Sequence, residues 1–255
     1  KICCATRKTL SKSKSPEDTR WPTSFLEQQT QKTRRKKASL KNLEKICEQI
    51  HEEFNAKTDQ REQALKNARE LIRRASLTIR AIHRGDVQQA QEELQQGQVI
   101  VDDILQHLKR EHPDLYYTGY TQDALKEFCE AKLTAAIIYD QPIPSPNEMG
   151  IDLPAWLNGL TETIGEMRRR CLDILRTGYT DEVERLLFNM DEIFTQLVTM
   201  DYPDAVTDGL RRRTDLARGI IERTRADITT AYRQEMLTKK IDEFTELLAD
   251  HEANQ

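Results

Sequence analysis

Apolar side chains recur three or four positions apart along most of this chain, the spacing that places them on one face of an α-helix. A first series runs from Leu43 to Ile82 and predicts either one very long helix or two helices joined at Thr58–Asp59. Gly85 ends the series, since glycine is common just beyond a helix C-terminus. A second series continues to Pro113, which cannot extend a helix. The pattern therefore predicts two antiparallel helices.

The same spacing predicts four further helices, separated by residues that end helices. Gln141–Pro146 contains three prolines in five residues and is expected to be extended. No run of five residues predicts a strand. The predicted helical ranges are 122–139, 152–178, 181–202 and 205–250. The chain is therefore predicted to form an all-α bundle of about six or seven long antiparallel helices, which would leave apolar faces for neighbouring subunits.

The composition of the 255 residues narrows the class of protein. Charged residues make up 32% and aromatic residues 6%, with only nine Gly and eight Pro, a mixture that favours helices over sheet. No apolar run approaches the roughly 20 residues that a membrane helix needs. Five cysteines without a Cys-x-x-Cys pair argue against a disulfide framework and a structural zinc site. We expect a cytoplasmic protein with no membrane partner.

Charge is divided unevenly along the chain. Residues 1–40 contain eleven Lys and Arg against three acidic residues, a net charge of +8, so the total of −4 leaves −12 on the remainder. Residues 1–39 show no helical or strand period and contain the basic run Arg34–Lys37, which predicts a disordered N-terminal extension. We favour a solvated leader there over a nucleic-acid arm. Nucleic acid would bind the acidic remainder only at local basic patches.

Two carboxylates share a stripe on the third predicted helix. Glu127 and Glu130 are three residues apart, which separates them by about 60° around a helix. Ala124, Ala131 and Thr134 are small neighbours on the same stripe. Like charges buried together are costly unless a cation joins them. The pattern therefore indicates a metal ion.

A second carboxylate pair, Glu162 and Glu166, lies on the fourth predicted helix beside Gly159 and Gly165. Glycine inside a helix suggests close approach by another backbone or by a ligand. The pair alone is more typical of a solvated face with an ion pair from Glu166 to Arg170 than of a metal site. Pairs on consecutive helices favour instead a site for Mg²⁺ or Mn²⁺, hard ions that bind oxygen and activate water for phosphoryl chemistry.

The sequence gives weaker evidence for other kinds of metal, catalytic or phosphate-binding site. Ferritin-like di-iron bundles use two Glu-x-x-His motifs, and this chain has one, Glu48–His51. The sequence contains no phosphate-binding glycine loop, no Gly-x-Ser-x-Gly nucleophile elbow and no His-Glu-x-x-His zinc helix. His83 is expected to interact with the C-terminal dipole of the first helix, although its position also allows contact with phosphate.

Three segments resemble the translin and translin-associated factor X family of nucleic-acid-binding and RNA-cleaving proteins. They are Arg69-Glu-Leu-Ile-Arg-Arg-Ala-Ser leading to Ala81-Ile-His-Arg84, Leu125-Lys-Glu-Phe-Cys-Glu-Ala131, and Trp156-Leu-Asn-Gly-Leu-Thr-Glu-Thr-Ile-Gly-Glu-Met-Arg168. The resemblance covers about Leu43 to Tyr232 and is greatest to the compact archaeal members, because the long insertion of the eukaryotic factor X proteins is missing. It implies an extension 1–39, a translin-like domain 40–232 and a C-terminal helical extension 233–255.

In that family the catalytic subunit is a Mg²⁺-dependent endoribonuclease for single-stranded RNA inside a closed oligomeric shell, whereas translin binds nucleic acid and lacks the carboxylate set. Glu127, Glu130 and Glu166 match the family ligands. Glu162 departs from the family's Asp, and its extra methylene moves the carboxylate by about one bond, enough to affect a site with a tolerance of roughly 0.5 Å. Tyrosines before the third helix are placed to stack on unpaired bases or to pack in the core; they are Tyr116, Tyr117 and Tyr120.

The resemblance and the carboxylates together favour a metal-dependent endoribonuclease. The catalytic and metal-binding residues would be Glu127, Glu130, Glu162 and Glu166, with one of them as the general base. Candidate phosphate contacts are Arg73, Arg74, Arg80, Arg84, Arg168 and Arg169. The expected partners are single-stranded RNA or DNA and further copies of the chain. The alternatives are a non-catalytic, translin-like protein that binds single-stranded DNA or RNA, and a scaffolding oligomer.

Overall fold

The structure is a computed structural model, and it describes residues 24, 27–32, 40 and 42–253. The chain divides into two compact units, residues 1–58 and 59–255. In the first unit, residues 24 and 27–32 are helical and a long helix begins at Leu43. The rest of the predicted extension, including the basic run at 34–37, lies outside the described residues.

The described part of the chain is all-α, as the sequence predicts, and it contains six long helices. They are α1 (Leu43–Arg84), α2 (Val87–Asp103), α3 (Gly119–Ile138), α4 (Leu153–Leu175), α5 (Asp181–Leu197) and α6 (Leu210–Ala253). The short segments between them are Ile104–Leu108, Lys109–Glu111, Pro113–Tyr116, Pro146–Met149 and Asp204–Thr207. Across these ranges, no helix combines the length and the apolar character that crossing a lipid bilayer requires.

The predicted boundary between the first two helices is confirmed. α1 is one helix of 42 residues without a break at Thr58–Asp59. Gly85 adopts a left-handed conformation with φ of 74°, and the Asp86 side chain accepts a hydrogen bond of 3.0 Å from the Gln89 backbone, capping α2. α2 then passes into a π-helical turn at Ile104–Leu108, a feature that its apolar spacing does not predict.

The predicted start of the last helix at Ala205 is wrong. One turn of helix at Asp204–Thr207 is followed by Asp208 and Gly209, both in the left-handed region, with φ of 53° and 76°. The buried Asn158 amide donates to the carbonyls of Thr207 and Asp208 at 3.1 and 3.2 Å and stabilises this break. α6 therefore begins only at Leu210.

α4 is the central helix of the second unit, because it packs against α3, α5 and α6. It meets α3 at close range at Gly159, where a Cβ atom would lie 2.9 Å from Cys129 Cβ and 3.1 Å from the Glu130 backbone nitrogen. The predicted close approach is confirmed there. At Gly165, in contrast, no atom from another part of the described chain would lie within 4 Å of a Cβ. The absence of a side chain at Gly159 therefore lets the two carboxylate-bearing helices meet.

The two glycines of α4 allow a matched test of this contact. Gly159→Ala should destabilise the fold by about 1–3 kcal/mol, because the new methyl group overlaps the α3 backbone. Gly165→Ala should instead be neutral or stabilising by up to about 1 kcal/mol, because alanine is the better helix former and meets nothing. Urea unfolding measures both values, and equal effects at the two positions would contradict the close approach.

Candidate metal centre

The predicted carboxylates lie beside the crossing of α3 and α4. Glu127 and Glu130 are on one stripe of α3, and Glu162 is on α4 three residues beyond Gly159. Each of these three carboxylates has an oxygen within 4.8 Å of an oxygen of the other two. The structure therefore brings three of the four predicted ligands into one cluster, which we call the carboxylate triad.

Glu166 lies one turn further along α4 and has different neighbours. Its Oε2 accepts a hydrogen bond of 2.6 Å from Nε2 of His83, near the end of α1. Arg169 Nη1 lies 3.6 Å from the same oxygen. The hydrogen bond from His83 is the main cause that holds the pKa of Glu166 below its usual range. Glu166 is therefore a fixed and ionised carboxylate at the edge of the triad.

Glu130 is the most buried carboxylate of the site, with 9% of its surface exposed. Burial raises its pKa to about 8, and the negative charges of Glu127, Glu162 and Glu166 add to this effect. No side-chain hydrogen bond or ion pair to Glu130 occurs within residues 42–249, where side chains are described. This buried carboxyl with three acidic neighbours therefore keeps its proton near neutral pH in the metal-free chain, and a metal ion that replaces the proton would relieve the same charge conflict.

Two cations contact Glu162 from other parts of the fold. Lys126 Nζ lies 2.8 Å from Glu162 Oε2 and 3.2 Å from Glu127 Oε1. Burial opposes the charged form of Lys126, but these acidic contacts outweigh it and the net effect raises its pKa. Arg213 Nε, on α6, is 3.3 Å from Glu162 Oε1. Part of the negative charge of the triad is thus neutralised by the protein itself.

Two pockets adjoin the site. The smaller, of about 290 Å³, is lined by Glu130, Glu162, Gly165, Glu166 and Arg213, and the open space at Gly165 belongs to it. The larger, of about 500 Å³, is lined by Lys126 and by polar residues that include Tyr117, Gln122, Asp123, Asp152 and Asn158. Glu130, Glu162 and Glu166 are therefore accessible to a small ion from the smaller pocket.

The alternative of a solvated face on α4 is not what the structure shows. Arg170 contacts Glu182 at 3.1 Å and not Glu166. Glu162 and Glu166 are only 30% and 22% exposed, because α4 is covered by helices on several sides. The predicted ion pair from Glu166 to Arg170 is therefore wrong, and the histidine of α1 takes the place of the arginine.

The six candidate phosphate contacts are distributed over two helices. Three of them form ion pairs with acidic residues other than the four predicted ligands, in the pairs Arg73–Glu70, Arg74–Glu93 and Arg168–Asp227. Arg80 and Arg84 are exposed near the end of α1. Arg169 is exposed and contacts a site carboxylate. Of these six, Arg169 is the one that the structure places in contact with a predicted catalytic residue.

The three tyrosines before α3 have different environments. Tyr116 is fully buried beneath Lys109, whose Nζ lies 4.8 Å from the ring centre, and burial is the main cause that raises its pKa to about 12. The Tyr120 hydroxyl is buried without a hydrogen-bond partner. Tyr117 is 63% exposed and lines the larger pocket. Only Tyr117 presents its ring for stacking on an unpaired base.

Sequence reasoning did not assign roles at the site to Lys126 or Arg213, and for His83 it gave a helix dipole or a phosphate, not a carboxylate, as the partner. These residues reach the carboxylates from 36, 51 and 83 positions away along the chain. The run Arg211-Arg-Arg213 at the start of α6 is a basic cluster that is visible in the sequence. The sequence does not show, however, that Arg213 of this run contacts Glu162, because that contact depends on the packing of α6 against α4.

The donor set of the triad consists only of carboxylate oxygens, which suits Mg²⁺ or Mn²⁺ and argues against a zinc site of Cys and His. The buried Glu130, which has three carboxylate neighbours, adds a physical need for positive charge. The residues present therefore fit a divalent ion.

Comparisons with known proteins agree on the fold. No family model matches the chain. An uncharacterized protein of Methanocaldococcus jannaschii is 33% identical over 171 residues, 67% of this chain and 75% of that protein. The crystal structure of AfC3PO and the structure of its complex with duplex RNA are each 30% identical to this chain, with a TM-score of 0.68. The matches cover 74% of this chain, 98% of the AfC3PO chain in the crystal structure and 97% of the chain in the complex. Apo-NeC3PO, 20% identical, shares the fold with a TM-score of 0.67 over 72% of this chain and 96% of its own.

Proposed function

This chain belongs to the translin and translin-associated factor X family, and on that premise we propose that it is a metal-dependent endoribonuclease that cleaves single-stranded RNA. The observation that carries the proposal is the carboxylate triad of Glu127, Glu130 and Glu162, formed by two helices beside two pockets. Hydrolysis of a phosphodiester needs an activated water and positive charge beside the phosphate. Clustered carboxylates meet both needs when they hold a divalent ion.

Glu127, Glu130 and Glu162 would hold the ion. Bound there, Mg²⁺ or Mn²⁺ would supply a water of lowered pKa and a positive charge that offsets the charge of the phosphate. Glu162 fits this role with its longer side chain, since its carboxylate already lies within 4.8 Å of the other two. The triad thus supplies ligands from both helices.

Glu166 is the carboxylate that we assign as the general base. Its Oε2 is occupied by His83, whereas Oε1 has no partner within residues 42–249, and the residue lines the smaller pocket. A carboxylate fixed through one oxygen presents the other in a constant position, so Oε1 is placed to accept the proton of the attacking water. Arg169 and Arg213 would contact the phosphate from the same side.

RNA is proposed as the substrate because AfC3PO, a relative of 30% identity, has been solved with duplex RNA. We propose single-stranded RNA for this chain because the exposed ring of Tyr117 adjoins the site, and an unpaired base is free to stack on such a ring.

The second candidate function is a non-catalytic, translin-like protein that binds single-stranded DNA or RNA. The observation in its favour is that Lys126 and Arg213 already neutralise Glu162 within the protein, as expected if the glutamates are structural. Labelled single-stranded RNA incubated with Mg²⁺ or with EDTA, beside a filter-binding assay, separates the two. Cleavage in Mg²⁺ alone supports the ribonuclease, whereas binding without cleavage under both conditions supports the second candidate.

We also propose that the chain assembles into a closed homo-oligomer. Its longest helices expose apolar side chains along their outer parts, among them Leu43, Ile46, Ile50 and Phe54 on α1. Such side chains are stabilised when a second subunit covers them. Light scattering at micromolar concentration should give a mass of several chains. A mass of one chain, 29.7 kDa, would contradict the proposal.

A further inference from the structure

Lys126 contacts two members of the carboxylate triad at once. Its ammonium lies 2.8 Å from Glu162 and 3.2 Å from Glu127, and so it joins α4 to α3. The side chain is only 13% exposed. The other cation within ion-pair distance of the triad in residues 42–249, Arg213, contacts Glu162 alone. Lys126 therefore occupies a position between the carboxylates that would otherwise suit an external cation.

A divalent ion and this ammonium compete for the same two carboxylates. An ion held by the triad draws on Glu127 and Glu162, the two partners of Lys126. Two cations confined to the same few ångströms repel each other, and a divalent ion interacts with carboxylates more strongly than an ammonium does. Occupation of the triad by a divalent ion should therefore displace Lys126.

The larger pocket provides space for the displaced Lys126 side chain. Lys126 also lines the larger pocket, and it is the only Lys or Arg among the described residues that do so. Its flexible four-carbon stem allows the ammonium to turn without a change in the backbone. In that pocket it would place a positive charge beside a phosphate of RNA that lies across the site, on the side away from Arg213.

We propose that Lys126 is a phosphate-binding residue of this site, held on Glu127 and Glu162 until a divalent ion displaces it. The inference rests on the proposed function for its metal and its substrate. It explains how the metal-free protein tolerates a cluster of carboxylates. It also means that metal binding adds two kinds of positive charge for RNA, that of the ion and that of the released ammonium.

Acetylation of the wild-type protein tests the displacement directly. The full chain is treated with N-hydroxysuccinimide acetate in EDTA and in Mg²⁺, and each lysine is followed by peptide mass spectrometry. The rate at Lys126 should rise at least fivefold in Mg²⁺, because its nitrogen leaves two carboxylates. Lys132, on the same helix but bonded to the Gln98 amide at 2.8 Å, should not change. An unchanged rate at Lys126 would overturn the inference.

Metal affinity gives a second test with a matched control. In Mn²⁺ titrations followed by electron paramagnetic resonance, Lys126→Gln should bind the ion about tenfold more tightly, because the competing ammonium is gone. Lys132→Gln should bind it as the wild type does. Equal or weaker binding by Lys126→Gln would overturn the inference. Absence of Mn²⁺ binding by the wild type would instead contradict the proposed function, so the two failures are distinguishable.

RNA binding tests the phosphate contact. In a Glu166→Gln background that prevents cleavage, the salt dependence of single-stranded RNA binding is measured by filter binding with and without Lys126→Gln. In Mg²⁺ the slope should fall by about 0.7 when Lys126 is replaced, the value for one lost phosphate contact. In EDTA it should not change. Equal slopes in Mg²⁺ would show that Lys126 does not contact phosphate and would overturn this part of the proposal.

Discussion

Replacing Glu127 or Glu166 by Gln is expected to lower Mg²⁺-dependent cleavage of single-stranded RNA by about 100-fold or more, because each change removes a charge on which the chemistry depends while it nearly keeps the shape. RNA binding should survive or become tighter, since the site loses a negative charge that repels phosphate. The two variants should differ in their metal response. Glu127 belongs to the triad, whereas Glu166 is held by His83 outside it.

Single-turnover cleavage measures the first effect, and thermal unfolding with and without Mg²⁺ measures the second. The rise in melting temperature that Mg²⁺ causes should shrink most in Glu127→Gln, because that rise reports binding to the folded state. Glu192→Gln, an exposed position of α5, is the matched control and should behave as the wild type does. Unchanged cleavage in both site variants, with equal Mg²⁺ responses, would rule out these residues as the catalytic site.

The stability of the metal-free protein is expected to fall as the pH rises, because of Glu130. The pKa of this carboxyl is raised from 4.5 to about 8 in the folded chain, mainly by burial. Between these values the unfolded chain releases a proton that the folded chain keeps, so the free energy of unfolding decreases with increasing pH. The complete decrease should be on the order of 5 kcal/mol and nearly finished above pH 8.

Urea unfolding in EDTA at pH 5 and pH 8 measures this decrease. Glu130→Gln removes the titrating group and keeps the shape, so the difference between the wild type and this variant isolates Glu130 from other titrating side chains. The variant should be the more stable protein at pH 8 and should lose less stability between the two pH values. Identical pH dependence in the two proteins would contradict an uncompensated carboxyl at this position.

The local parts of the site could be predicted from the sequence. A spacing of three residues places Glu127 and Glu130 on one stripe of a helix whatever the helix packs against. Gly159 identified the point where α4 meets another backbone, because glycine inside a helix is unfavourable without such a reason. Helical periodicity also predicts the all-α fold and the position of most helix ends.

The contacts between helices could not be predicted in this way. Periodicity shows which face of a helix is apolar, but it does not show which residue of another helix that face meets. His83, Lys126 and Arg213 reach their carboxylates through the packing of α1, α3 and α6 against α4. The break before α6 was missed for a similar reason, because Asn158 of α4 stabilises the left-handed conformation of Asp208.

The two longest helices are buried only at one end, which should make amide hydrogen exchange vary strongly along each of them. Every residue from 43 to 63 of α1 is exposed, and buried positions begin at Ala64. In α6 the residues 236–249 are exposed. Amides in these outer parts are protected only by the hydrogen bonds of the helix itself, and they exchange when the helix end frays. Amides in the packed parts exchange only when the core unfolds. A subunit that covers the outer part of a helix should slow amide exchange there and leave exchange in the packed part unchanged. The ratio of the two exchange rates within one helix therefore reports subunit contact.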